Sequence, residues 1–270
     1  MWEALQFEFM RSALVVGLLV SVACGVIGTL VVINRIAMIS GGVAHAAYGG
    51  VGLAFFLGIS PLLGASLFSL GSALIMGWFS INRRHRADAV IGVVWALGMA
   101  LGVILIDLSP GYNVDLMSYL FGSILSVGTT EIWTTGMLDA IILATTILFF
   151  KEFQAMAYDE EFAMVVCVPV KRLYFLLLSL VALSVVMMVR VVGLILVIAL
   201  LTIPPYIAEA YTDSLGKMMS LACLLGALFN VAGLWISYTF DISSGASIIL
   251  AAGAGFFISK FFQPRASAQG

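Results

Sequence analysis

Long apolar stretches separated by short polar joints run the length of the chain, and a helix needs roughly 17–25 predominantly apolar residues to cross a bilayer core. Residues 12–33 carry no charge and form the first such stretch. Residues 41–81 also lack Asp, Glu, Lys and Arg, but they are too long for one span. Ser60-Pro61 divides them, because the residue before a proline leaves the helical region. Two helices joined by a tight turn are predicted there. Further spans fall at 89–106, 132–150, 173–189, 191–208, 218–240 and 242–259. The sixth and seventh abut at Arg190, so one of them is short, broken or re-entrant, and the count is eight or nine. The pattern predicts an all-α, polytopic transmembrane bundle forming a single domain over residues 1–270. The first stretch reads as a span rather than a cleaved leader: Glu3 and Glu8 make a poor basic region, and the stretch is long enough to cross.

Composition agrees with the pattern. With 63% hydrophobic and 10% charged residues, there is too little polar surface to coat a soluble globule. A net charge of -2 excludes the basic stripe that nucleic acid requires. Cys24, Cys167 and Cys223 are far apart and odd in number, which indicates neither a disulfide framework nor a zinc ribbon. Basic residues set the orientation. The cluster Arg83, Arg84 and Arg86 marks a cytoplasmic loop, and alternation from it also places Arg35, Lys151, Lys171, Arg172, Lys217, Lys260 and Arg265 inside. Only Arg11 and Arg190 sit awkwardly. His85 belongs to that basic loop and reads as solvated. The longest cytoplasmic segment, residues 151–172, is one or two short helices' worth of chain, too little for an enzyme domain. No phosphate-binding loop, H-E-x-x-H or G-x-S-x-G occurs, so no catalytic residue is assigned and any ATP must be handled by another chain.

Within the charge-free block stands His45, about 15 Å from Arg35 and about 20 Å from Ser60 at 1.5 Å per residue, close to the membrane midplane. An ionisable group at that depth is read as functional by default. Small residues surround it, including Gly41, Gly42, Ala44, Ala46, Gly49, Gly50 and Gly52, so neighbouring helices can approach closely. Asp139 and Asn230 also fall within spans, where interhelical hydrogen bonding accounts for them.

Five blocks in order resemble the permeases of ABC-type importers of zinc, manganese or iron, the ABC-3 family. They are His45-Ala46-Ala47-Tyr48-Gly49-Gly50-Val51; Asp115-Leu116-Met117-Ser118-Tyr119-Leu120-Phe121-Gly122; Tyr158-Asp159-Glu160-Glu161-Phe162-Ala163 through Val168-Pro169-Val170; Val192-Gly193-Leu194 through Ile203-Pro204; and Ser237-Tyr238 with Ser243-Ser244-Gly245-Ala246. The resemblance implies two permease copies seated on two separate ATP-binding subunits in a bacterial plasma membrane. It also implies a solute-binding protein that delivers metal outside, and a divalent ion as cargo rather than a tightly bound cofactor. Residues 151–172 fit a coupling segment. Asp159, Glu160 and Glu161 stand where a helix N-terminus favours negative charge, and apolar Phe162 and Met164 follow for docking into an ATPase groove.

The sequence departs from the family pattern at one place. Familiar members carry an Asp one helical turn before the histidine, and here that position is Gly41. A neutral imidazole alone is a poor cation site. A carboxylate from elsewhere is one remedy, and Glu209, after the Pro204-Pro205 pair, is the candidate; a cytoplasmic helix-end carboxylate beside Lys217 is the equally simple reading. The alternatives are a permease for chelated iron or cobalamin, a secondary transporter, and an intramembrane enzyme or cofactor-binding protein using His45 and Glu209. Imidazole and carboxylate chemistry does not choose among zinc, manganese and iron.

Overall fold

The computed structural model describes residues 6–82, 87–109 and 124–262, among which all regular structure is helical. In chain order the helices are α1 (Glu8–Ile33), α2 (Ala37–Leu57), α3 (Pro61–Asn82), α4 (Ala87–Asp107), a 3₁₀ turn (Ile124–Ser126), α5 (Thr129–Leu148), α6 (Phe150–Tyr158), α7 (Glu160–Val165), α8 (Val170–Val192), α9 (Leu194–Glu209), α10 (Leu215–Phe240) and α11 (Ser244–Phe262). Eight of them, α1 to α5, α8, α10 and α11, are long and apolar enough to cross a membrane. The ninth apolar helix, α9, has 16 residues and is about 24 Å long, short of a core about 30 Å thick.

The break between the sixth and seventh spans lies at Gly193, not at Arg190, which stays inside α8. Gly193 has φ 82° and ψ 162°, a region open to essentially no residue but glycine. The chain therefore passes from one helix into the next through a single residue. The earlier turn follows the sequence expectation: α2 ends at Leu57, Gly58 adopts φ 67°, and Pro61 starts α3, where its missing N–H costs nothing. The proline pair does not end α9, which runs through Pro204 and Pro205. The carbonyls of Leu200 and Leu201 lose their usual helical donors there. That of Leu201 lies against Gly28 of α1.

Burial separates an inner from an outer set. The spanning windows of α1 and α2 are 72% buried and that of α11 only 17%, so α1 and α2 form the interior and α11 lies at the periphery. Fully enclosed Val16, Val20, Ile27 and Leu30 make α1 the axis, against which α10, α9 and α5 pack. Helix α2 packs mainly on α4 and α3. Its seam with α4 is built for close approach. A Cβ on Gly49 would lie 2.7 Å from the Gly98 carbonyl oxygen, and one on Gly52 2.7 Å from the Gly102 Cα. The outer turn between α10 and α11 is tied by Ser237, whose hydroxyl donates to the Ile242 carbonyl at 2.6 Å beside Asp241 at φ 52°.

Candidate functional site

Helix α2 keeps one accessible stripe. Met38, Gly41 and His45 retain exposure in its first half, where residues 42–44 and 46–52 are buried, and Leu53 and Phe56 continue the same face beside the partly exposed Phe55 and Leu57 at its end. Their spacing follows one helical face. His45 is the only imidazole or charged side chain on the helix.

The seam that brings α2 onto α4 also fixes this imidazole. His45 stacks on Trp95 with ring centroids 4.0 Å apart and planes 9° from parallel. Each residue lies eight positions into its helix, so 45 pairs with 95 as 49 pairs with 98 and 52 with 102. The indole is itself held, its Nε1–H donating to Met99 Sδ at 3.1 Å one turn on. Nδ1 of His45 is buried without a hydrogen-bond partner, whereas Nε2 makes no hydrogen bond and is not enclosed. The sequence reading missed Trp95. Its signal lay in the shared small-residue spacing of the two helices, Gly49 and Gly52 against Gly98 and Gly102, which sets the register one turn from the aromatic.

Gly41 stands on the same stripe one turn toward the start of α2. A Cβ there would meet only Ile198 Cδ1, at 3.9 Å. That contact brings in α9, which has an open stripe of its own: Ile195, Ala199, Thr202, Tyr206 and Glu209 keep exposure at helical spacing. Glu209 ends this stripe, eleven residues or about 16 Å beyond Ile198 along the helix and away from His45. One protomer thus puts His45 and Glu209 on neighbouring faces but at different depths. Among the described residues no group of three or more His, Cys, Asp and Glu side chains could hold a metal ion.

Toward the N-terminal ends of α2 and α4 from the imidazole, a pocket of about 950 Å³ opens, with Ile39 and Ile91 in its lining. Ile91 lies one turn before Trp95, so the pocket reaches to within a turn of the stacked pair. Arg35, Asp88 and Lys171 also line it, together with Glu160 and Met164 of α7.

The segment that the sequence reading makes cytoplasmic is helical in α6 and α7. Asp159 caps α7, its carboxylate accepting the Phe162 N–H at 2.9 Å, and Glu160 and Glu161 occupy the first turn. Ala163 is fully buried against the body of the protein, whereas Phe162 is 59% and Val165 78% exposed. The two polar residues inside spans differ. Asn230 donates to Ser21 Oγ at 2.8 Å, the interhelical bond expected of it. Asp139 is buried with no partner for either carboxylate oxygen. His85 and the block from Asp115 to Gly122 lie outside the described residues.

Comparison with known proteins places this arrangement. The profile of the ABC 3 transport family matches residues 6–263. An uncharacterized membrane protein of Synechocystis sp. is 51% identical over 97% of this chain and 94% of its own length. The manganese transport system membrane protein MntC of Halalkalibacterium halodurans is 34% identical, covering 97% of this chain and 90% of that protein. Among solved structures, PsaBC from Streptococcus pneumoniae in complex with Fab contains a chain that superposes with a TM-score of 0.88 at 34% identity, covering 98% of this chain and 96% of that one. The ordered blocks, the all-helical bundle and these matches along nearly the whole length agree, and the chain belongs to the ABC 3 transport family.

Proposed function

We propose that this chain is the permease subunit of an ATP-driven importer of a divalent transition metal ion, with manganese, the ion named in its relatives, as the first candidate. The observation that carries the reading is the accessible stripe of α2, on which a single imidazole stands near mid-membrane. Two copies of the chain would bring two such imidazoles to one path. Metal delivered outside by a solute-binding protein would pass Nε2 of His45 and leave through the cytoplasmic pocket, where Asp88 and Glu160 offer hard oxygen donors. Glu209, at the end of the α9 stripe, would meet the ion late, near the cytoplasmic exit. The α6–α7 segment, with Asp159, Glu160, Glu161, Phe162 and Met164, would receive motion from a separate ATP-binding subunit.

In this reading the protein makes and breaks no covalent bond. Its task is to offer a ligand that binds weakly enough to release. One neutral imidazole per chain, without a carboxylate at position 41, suits transit better than storage. The test is uptake of radioactive manganese by manganese-depleted cells expressing the permease with its ATPase. His45→Ala is expected to abolish uptake while leaving assembly intact, and uptake is expected to need the ATPase. Normal transport by the variant would remove His45 from the path, and ATPase-independent activity would favour an intramembrane enzyme or a secondary transporter.

A further inference from the structure

We infer that Trp95 is a positioning residue for the transported cation, acting through the face of the His45 imidazole; this rests on the assignment of His45 to the path. Three observations converge. The rings are parallel and in contact, at 4.0 Å and 9°. The imidazole has no second anchor, because Nδ1 is buried without a hydrogen bond and Nε2 makes none. Position 41, from which a carboxylate would reach the same face, carries no side chain.

A histidine that binds a metal normally has its second nitrogen hydrogen-bonded to a carboxylate, carbonyl or water, which fixes the ring and raises its basicity. Here the indole performs the orienting part of that task. Parallel stacking against the indole holds the imidazole plane, with Nδ1 turned into the protein and Nε2 toward the accessible stripe. The indole also supplies an electrostatic contribution. An imidazole that takes on a cation becomes a positively charged ring, and the negative face of a tryptophan stabilises positive charge placed over it. The effect is weaker than that of a formal carboxylate, so the ion is favoured without being trapped. The Met99 sulfur that accepts the indole N–H keeps Trp95 at the required angle. Helix α4 is therefore part of the path, although none of its spanning residues carries a charge between Asp88 and Asp107.

The test uses the assembled permease and ATPase. Trp95→Leu keeps an apolar side chain but removes the aromatic face, and Trp95→Phe keeps a smaller one. Trp95→Leu is expected to raise the half-saturating manganese concentration by about three- to thirtyfold, the range that a cation–π contact spans. Maximal uptake is expected to stay within about twofold, and Trp95→Phe to fall between wild type and Trp95→Leu. A spectroscopic readout is independent of transport. With Trp2, Trp78, Trp133 and Trp235 changed to Phe, manganese should quench the remaining Trp95 emission saturably, and His45→Ala should abolish that quenching. An unchanged half-saturating concentration in Trp95→Leu, or an equal loss of assembled protein in both Trp95 variants with no shift in that concentration, would overturn the inference and leave the His45 path standing. Normal uptake by His45→Ala would instead remove the path and this inference together.

Discussion

Gly41 and Gly42 are adjacent, yet they tolerate a side chain very differently. A Cβ at 41 meets only the end of Ile198, at 3.9 Å, an ordinary contact; one at 42 would lie 2.7 Å from Ile91 Cγ2 and 3.2 Å from the Met76 sulfur. The carboxylate that the family resemblance implies is thus missing from a place that would accept it, and packing does not account for its absence. Gly41→Asp is expected to fold, helped by the few tenths of a kcal/mol by which Asp exceeds Gly in helix propensity. It would set a carboxylate one turn from His45, on the same stripe. An affinity gain of about tenfold or more, ~1.4 kcal/mol, is expected, together with a lower maximal rate as release slows. Saturation curves for manganese uptake would show the two constants falling together. Unchanged affinity would mean that the stripe bounded by Gly41 and Ile198 does not face the ion. Gly42→Asp is the contrasting control, expected to lose assembled protein.

At the scale of elements, the junction of α8 and α9 depends on one residue. Gly193→Ala would force a Cβ into the φ 82°, ψ 162° region at a cost of about 1–3 kcal/mol, lowering the melting temperature of the purified protein. Gly71→Ala in α3, where a Cβ meets nothing within 4 Å, should be neutral or stabilising by roughly 0.5–1 kcal/mol. Equal melting temperatures for the two variants would refute the strained-turn account. The same junction shows where sequence reasoning stops. Hydropathy located the spans well, because each must bury or immerse an apolar face, and Pro61 marked its turn through its own ring. It placed the sixth break at Arg190 because a charge interrupts the apolar run, whereas the backbone responds to torsion angles, and only the glycine three residues later can adopt those required. Trp95 was missed for a different reason: its signal lies in the glycine spacing of two helices read together and not in either stretch alone. Nothing local to residues 45 or 95 reports their contact, which arises from the register of two helices fifty residues apart. Asp139 was expected to find an interhelical partner as Asn230 does, and packing around α5 gives it none.

Across the whole molecule, the proposed coupling segment and the proposed path meet at the pocket near His45. Helix α7 is anchored from within by Ala163 and capped by Asp159, yet it leaves Phe162, Val165 and Val166 at least half exposed, a small apolar patch of the kind that marks an interaction site. Met164 and Glu160 of the same short helix line the pocket, whose roof lies one turn from the stacked His45 and Trp95. On the proposed reading, an ATPase gripping Phe162 would shift the pocket wall through Glu160 and Met164. Burying a Phe side chain contributes about 1.5–3 kcal/mol, so Phe162→Ala should weaken ATPase docking by roughly 10- to 150-fold. Combined with Met164→Ala, it is expected to uncouple the complex: ATP hydrolysis by the ATPase subunit continues, while manganese uptake falls to background. The comparison needs co-purification of the ATPase, its hydrolysis rate and uptake, all measured on one preparation. If ATPase recovery and uptake both match wild type, α7 is not the coupling element, and the pocket lining must respond to some other contact on the cytoplasmic face.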